Sequence, residues 1–161
     1  AKEVYDGAIP SGNSVAALGL LRVGRLTMDA KLEEYGAKVL KAFSPELANA
    51  GSAYPQMLMA LDFYFGPARE IVLAGDMADK GTQDMLKEIF KRFLPNKVVA
   101  VHPAASGPAK AAIEALIPFM KDQVPVGGKP TAYVCRNYAC AAPTNDVSKL
   151  TGLLQDNKPS R

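Results

Sequence analysis

The chain has 161 residues, 48% of them hydrophobic and 22% charged, with a formal net charge of +3. That is the size and composition of about one globular domain, long enough to bury a core without metal or disulfide staples. Its basic residues are scattered rather than gathered into a stripe with interleaved aromatics, which speaks against nucleic acid as a partner. No apolar run approaches the ~18 residues of a bilayer span and no signal-peptide pattern opens the sequence, so no membrane partner is expected.

Helix patterns fill the first part. The stretch "YDGAIPSGNS", Tyr5 to Ser14, gathers an acid, two serines, an asparagine and two glycines ahead of the apolar "VAALGLL". From Asn13 to about Thr27, apolar residues surround most of a helix that Ser11 or Asn13 would cap. A second helix carries Leu32, Tyr35, Gly36, Val39, Leu40 and Phe43 at the i, i+3, i+4, i+7 spacing, with Lys31, Glu33, Glu34, Lys38 and Lys41 on its wet side. A third starts near Pro55 and is apolar almost throughout, until Gly66-Pro67 ends it. One helix with a wet face beside two apolar all round reads as part of a larger helical array.

After Pro67 the period changes. "EIVLAG" has the β-branched character of a buried parallel strand, a helix capped near Thr82 follows, and "KVVAVHP" repeats the strand pattern. Pro108 opens another helix, "TAYVCRN" is a third strand and "DVSKLTGLL" a last helix, with "QDNKPSR" a frayed tail. Strand alternating with helix predicts crossovers and a small parallel sheet of three strands flanked by helices. The expected organisation is therefore mixed α and α/β: helices over 1–66, then a βαβαβα part over 67–161.

Chemistry has two candidate locations. In an open parallel sheet ligands gather at the carboxyl ends of the strands, where Asp76, His102 and Cys135 would stand as orienter, base and nucleophile. The plainer reading is that His102 closes a strand and Cys135 is a small core residue. The other location is the opening loop, where Asp6, Ser11, Asn13 and Ser14 offer groups suited to sugar hydroxyls, or simply to capping the helix.

Cys135 and Cys140 are spaced C-x4-C, not the redox-type C-x-x-C, and two cysteines are too few for a secreted disulfide framework. A disulfide across four residues is sterically possible, but a reducing, cytoplasmic setting does not indicate one, and two ordinary thiols are the expectation. With one histidine in the chain, a four-ligand zinc site is not supplied, so no metal is expected. The loop "GDMADKGT" misses the phosphate-binding P-loop, because Lys80 precedes Gly81 and the spacing is one residue too long. No cofactor is implied.

"DGAIPSGNSVAALGLLRVGRLT", "YPQMLMALDF", "EIVLAGD" and "YVCRNYACAAPTND" together resemble the C-terminal region of a family of long proteins. Its members carry a thioredoxin-like domain followed by a six-hairpin (α/α)6 barrel; the animal ones are called spermatogenesis-associated thioredoxin-like proteins. The resemblance runs from Asp6 to about Leu154. It implies that the chain is a fragment, as its opening on Ala1 also hints, and that the helices are the last hairpins of such a barrel. Similar barrels in sugar epimerases and six-hairpin glycosidases bind carbohydrate in loop-lined funnels, so Asp6, Ser11, Asn13 and Ser14 would lie nearest a carbohydrate ligand.

The sequence departs from that chemistry in two ways. Its single histidine is in the α/β part, and Asp6 has no nameable second carboxylate to complete a glycosidase pair. The resemblance thus leaves two readings open: a carbohydrate-binding or carbohydrate-processing region, and a non-catalytic module that docks the rest of its own protein. An isolated fragment would be expected to cover its apolar helices by forming a homo-oligomer.

Overall fold

The first helix begins where a side chain replaces a missing backbone partner. Ser11 is extended (φ −66°, ψ 150°) and its hydroxyl accepts the N–H of Ser14 at 3.1 Å, meeting one of the unpaired donors of the first turn. Helix α1 then runs Gly12–Thr27 and stops at Met28, whose backbone is left-handed (φ 58°). Asp29 caps the next helix, α2 (Ala30–Ala42), by accepting from the N–H of Lys31 at 2.9 Å and of Leu32 at 3.3 Å. So short a link makes α1 and α2 a helical hairpin. The computed structural model describes residues 4–155, in two units, Ala1–Gly66 and Pro67–Arg161. The tail expected to fray lies, after Gln155, outside the described residues.

Close packing of the hairpin needs a residue without a side chain. A Cβ at Gly36 would stand 2.7 Å from Leu21 Cγ and 3.2 Å from the carbonyl oxygen of Ala17, so glycine lets α2 lie directly on α1. Helix α3 (Ser44–Ala50) and a 3-10 turn (Gly51–Ala53) lead to α4 (Pro55–Phe65), which packs on α1 and buries Met57, Ala60 and Phe63. Both helices read as apolar all round, α1 and α4, keep an apolar side exposed: Val15 and Val23 on α1, and Leu58, Met59, Tyr64 and Phe65 on α4.

In the second unit the order of strands is β2-β1-β3-β4. Strand β1 (Arg69–Ala74) is buried along its whole length, as a central strand should be. Helix α5 (Lys80–Phe90) connects it to β2 (Lys97–His102), which pairs parallel to it. Ile71, Leu73, Met85, Ile89, Ala132, Val134, Leu150 and Leu154 form one core, the last two from α7 (Val147–Gln155). Burying each large aliphatic chain contributes about 1.5–3 kcal/mol.

The three-stranded parallel sheet expected from the alternation of strand and helix is not what forms. Strand β3 (Thr131–Arg136) lies on the other side of β1 and runs antiparallel, with Thr131 opposite Ala74 and Arg136 opposite Arg69. A short strand β4 (Ala139–Cys140) adds a second antiparallel pairing, so the sheet is four-stranded and mixed. The reason lies in the connection. After β2 the chain forms α6 (Pro108–Leu116) and a 3-10 turn (Pro118–Asp122). It is then back beside the end of β2, where the His102 ring holds the Gln123 carbonyl oxygen at 2.7 Å. It enters β3 at Thr131, the partner of Ala74, which itself pairs with His102. A connection that leaves and re-enters a sheet at one end reverses the strand. Among the described residues no helix is long and apolar enough to cross a membrane.

The hairpin packing can be tested directly. Gly36→Ala is expected to cost about 1–3 kcal/mol through overpacking. Gly19→Ala, whose added carbon meets nothing within 4 Å, should instead stabilise by about 0.5–1 kcal/mol. Urea denaturation followed by helical circular dichroism reads both; equal effects would show that the close approach at Gly36 is not a constraint.

Candidate functional site

Asp6 is 6% exposed and its carboxylate is spent on backbone. Oδ1 accepts from the N–H of Ser11 at 2.8 Å, and Oδ2 from the N–H of Met57, in the first turn of α4, at 3.0 Å. Helix α4 has no side-chain cap from its own N-cap residue Tyr54, so a residue far back in the chain supplies one. The Asp6 N–H donates in turn to the carbonyl oxygen of Ala53 at 3.1 Å. Burial works to raise the Asp6 pKa. Hydrogen bonds from Ser11, the Ser14 hydroxyl, Met57 and Gln56 outweigh it and hold the carboxyl below its usual value of 3.8.

The two serines close the knot. Their hydroxyl oxygens are 2.8 Å apart, and Ser14 Oγ lies 3.5 Å from the carbonyl oxygen of Val4. Ser11 and Ser14 are buried, while Asn13 is half-buried in the first turn of α1. Asp6, Ser11 and Ser14 are thus brought together, facing one another and the backbone.

The strand-end set is split. Asp76 Oδ1 accepts from the N–H groups of Ala104 and Ala105, at 2.9 and 3.1 Å, and so ties the loop after β2 to the end of β1. His102 is fully buried. Its Nδ1 faces the Gln123 carbonyl, which can only accept, so Nδ1 carries a proton. Its Nε2 lies 2.9 Å from Glu114 Oε1. Cys135 is elsewhere: it pairs with Glu70, near the start of β1, which is about 20 Å of strand from Asp76. The reversal of β3 is what separates them.

Cys135 is also no thiol. It forms a disulfide with Cys140, directly opposite on β4, where two free thiols were expected. The spacing permits the bond, and the expected reducing setting argues against it; what forms it is a two-residue turn at Asn137 and Tyr138, both with positive φ, which sets the two cysteines opposite each other. In the "GDMADKGT" loop, Asp79 caps α5 by accepting from the N–H of Gly81 at 2.6 Å. Among the described residues no group of three or more His, Cys, Asp or Glu side chains is placed to hold a metal.

Sequence reasoning did not single out one further feature, a groove of about 550 Å³ in the helical unit. Leu40, Leu47, Leu58, Leu61, Tyr64 and Phe65 line it, with Glu34, Lys38 and Lys41 also at its edge. The signal was available, since Leu58, Leu61 and Phe65 recur at i, i+3, i+7 along α4.

The Asp6 geometry predicts an acid-sensitive fold. Its depressed pKa means that the unfolded chain binds the proton more tightly. The stabilisation is therefore complete above about pH 5 and fades as the pH falls through 3.8 and below. Asp6→Asn turns an NH2 group toward one of the two N–H donors. It is expected to cost about 1–3 kcal/mol at neutral pH and to flatten the acid limb of a thermal-melt pH series. An unchanged acid limb would mean that the carboxylate does not hold the two helix starts.

No family model and no solved structure matches the sequence. Curated relatives do. Human spermatogenesis-associated protein 20 is 33% identical over 153 residues, 95% of this chain and 19% of that protein. The rat protein of the same name is 33% identical with the same coverage, and an uncharacterised protein of Caenorhabditis elegans is 26% identical over 94% of the chain and 20% of its own length. The chain spans about a fifth of the length of these relatives. Over that span it is similar in sequence to the spermatogenesis-associated protein 20 of human and rat.

Proposed function

We propose that this region is a non-catalytic structural module whose helical unit docks against the rest of a longer protein. The observation that carries the reading is the exposed apolar side of α4, with Phe65 77% exposed beside Leu58, Met59 and Tyr64. A patch of this kind on a helix is characteristic of an interaction surface. The relatives supply the occupant class, since about four-fifths of their length lies outside the matching span. The polar groups support the same reading. Asp6, Ser11 and Ser14 satisfy helix starts, and Asp76, Asp79 and His102 satisfy loops and helix caps.

The carbohydrate reading draws on the same loop and needs its groups accessible to a ligand. Burial of Asp6, Ser11 and Ser14 favours the docking reading over it, and the α4 surface gives a direct test between them. Phe65→Glu combined with Leu58→Glu should leave the melting temperature of the isolated chain nearly unchanged. In the intact gene product the same pair should cost about 2 kcal/mol or more, because a buried interface anchor is lost. Equal melting of variant and wild-type intact protein would overturn the docking reading. So would a mono- or disaccharide that stabilises the wild-type chain but not a chain carrying Asn13→Ala.

A further inference from the structure

We propose that Cys135 and Cys140 form a redox-active disulfide, opened by a dithiol reductant that attacks the Cys140 sulfur. The site does not depend on the docking reading. Its geometry is local. Strands β3 and β4 are joined by Asn137 and Tyr138 alone, with φ of 47° and 66°, the mirror-type turn in which both central residues are left-handed. That turn fixes the register, and the register sets Cys135 opposite Cys140. Neither turn residue is glycine, and a bulky side chain such as Tyr138 rarely adopts this backbone. Asn137 suits a left-handed backbone, but Tyr138 holds one that its side chain disfavours, a pattern that clusters at functional positions, and here the turn is what brings the two sulfurs together.

The bond contributes little as a staple. The cysteines are five positions apart, and a cross-link that closes so short a loop restrains the unfolded chain least. Other bonds already hold the segment. Ala141 N–H donates to the Val134 carbonyl at 3.0 Å, Ala132 and Thr144 exchange two backbone bonds at 2.7 and 3.0 Å, and Tyr138 N–H donates to Glu70 Oε2 at 3.3 Å. The unit has its own apolar core beside them. Reduction therefore leaves the fold standing.

The two sulfurs differ in access. Cys135 is 5% exposed on the inner strand, whereas Cys140 is exposed on the edge strand β4. A thiolate needs open approach to the sulfur it attacks, which selects Cys140. In the forward step one thiolate of the reductant bonds to Cys140 Sγ, the bond between the two cysteines breaks, and the electron pair leaves on Cys135 Sγ, which takes up a proton. The second thiolate of the reductant then attacks its own mixed-disulfide sulfur and releases Cys140 as a thiolate, which is protonated. Two electrons and two protons pass to the protein, and the reductant leaves as its disulfide. In reducing compartments, disulfides of this exposed kind are typically transient and redox-sensing.

The test uses the whole chain under native conditions. It is equilibrated in dithiothreitol buffers of graded oxidised-to-reduced ratio, quenched in acid and alkylated, and its free thiols are counted by mass. The bond is expected to open and re-form reversibly while circular dichroism stays folded. Resistance to reduction until the protein unfolds, or two thiols that fail to join in oxidised buffer, would overturn the proposal. Site selection is read separately on the wild type. Peptide mapping of the mixed disulfide trapped with excess monothiol should place the adduct on Cys140, and an adduct chiefly on Cys135 would refute the assignment. Cys135→Ser should react with an aromatic disulfide reagent at least about tenfold faster than Cys140→Ser, following exposure; equal or reversed rates count against it.

Discussion

A backbone N–H or C=O removed from water must find a partner, and in each unit one buried polar side chain meets that demand where a regular element begins or ends. Asp6 does so in the helical unit. One carboxylate receives an N–H from Ser11, just outside α1, and another from Met57 in α4, so two helix starts are fixed to one point near the beginning of the chain. His102 does the same in the sheet unit. By holding the Gln123 carbonyl it returns the connection to the end of β2, and the direction of β3 follows from that. Both side chains would be costly if left unpaired at their depth. Their polarity therefore specifies geometry.

How much of this could be read from the sequence depends on the range of each interaction. Local signals were plain. Ser11 ahead of an apolar run marked the start of α1, Pro55 the start of α4, and the β-branched stretch from Glu70 a strand buried throughout. Interactions between distant positions were not. The bond from Met57 to Asp6 spans 51 positions and that between His102 and Gln123 spans 21, and no period or motif encodes either. The alternation of strand and helix could not fix the direction of β3, because helix α6 followed by a 3-10 turn leads the chain back to the end it left. The β3–β4 hairpin was hidden for a different reason. Asn137 and Tyr138 lack the glycine that usually signals a two-residue turn, so the run "TAYVCRN" reads as a single strand and the return strand Ala139–Cys140 goes unseen.

The same reversal decides which residues can cooperate. Were the sheet parallel, the end of β3 would meet the ends of β1 and β2, and Cys135 would join Asp76 and His102. With β3 antiparallel, Cys135 faces Glu70 and the edge hairpin, and the histidine is left with Glu114 and a carbonyl. A nucleophile and a base that looked adjacent in a list of strand ends are separated by the length of the sheet. What remains at the Cys135 end is sulfur chemistry by itself, which needs neither the histidine nor a metal.

The helical unit poses the converse question, since Asp6, Ser11 and Ser14 point inward while apolar side chains of α1 and α4 point out. Helices α1 and α4 share the face that buries Ala17, Leu18, Leu21, Met57, Ala60 and Phe63, and that face completes the core of the unit. The opposite side of α4 is only partly covered by the described residues, yet it carries leucine, methionine, tyrosine and phenylalanine where α2 carries lysine and glutamate. Transferring four such side chains out of water is worth several kcal/mol at about 25 cal/mol per Å² of apolar surface, a stabilisation this unit does not realise alone. A helix selected only to face solvent would alternate as α2 does. The contrast between these two neighbouring helices is what the docking proposal rests on: one helix meets water with charge, the other with apolar side chains.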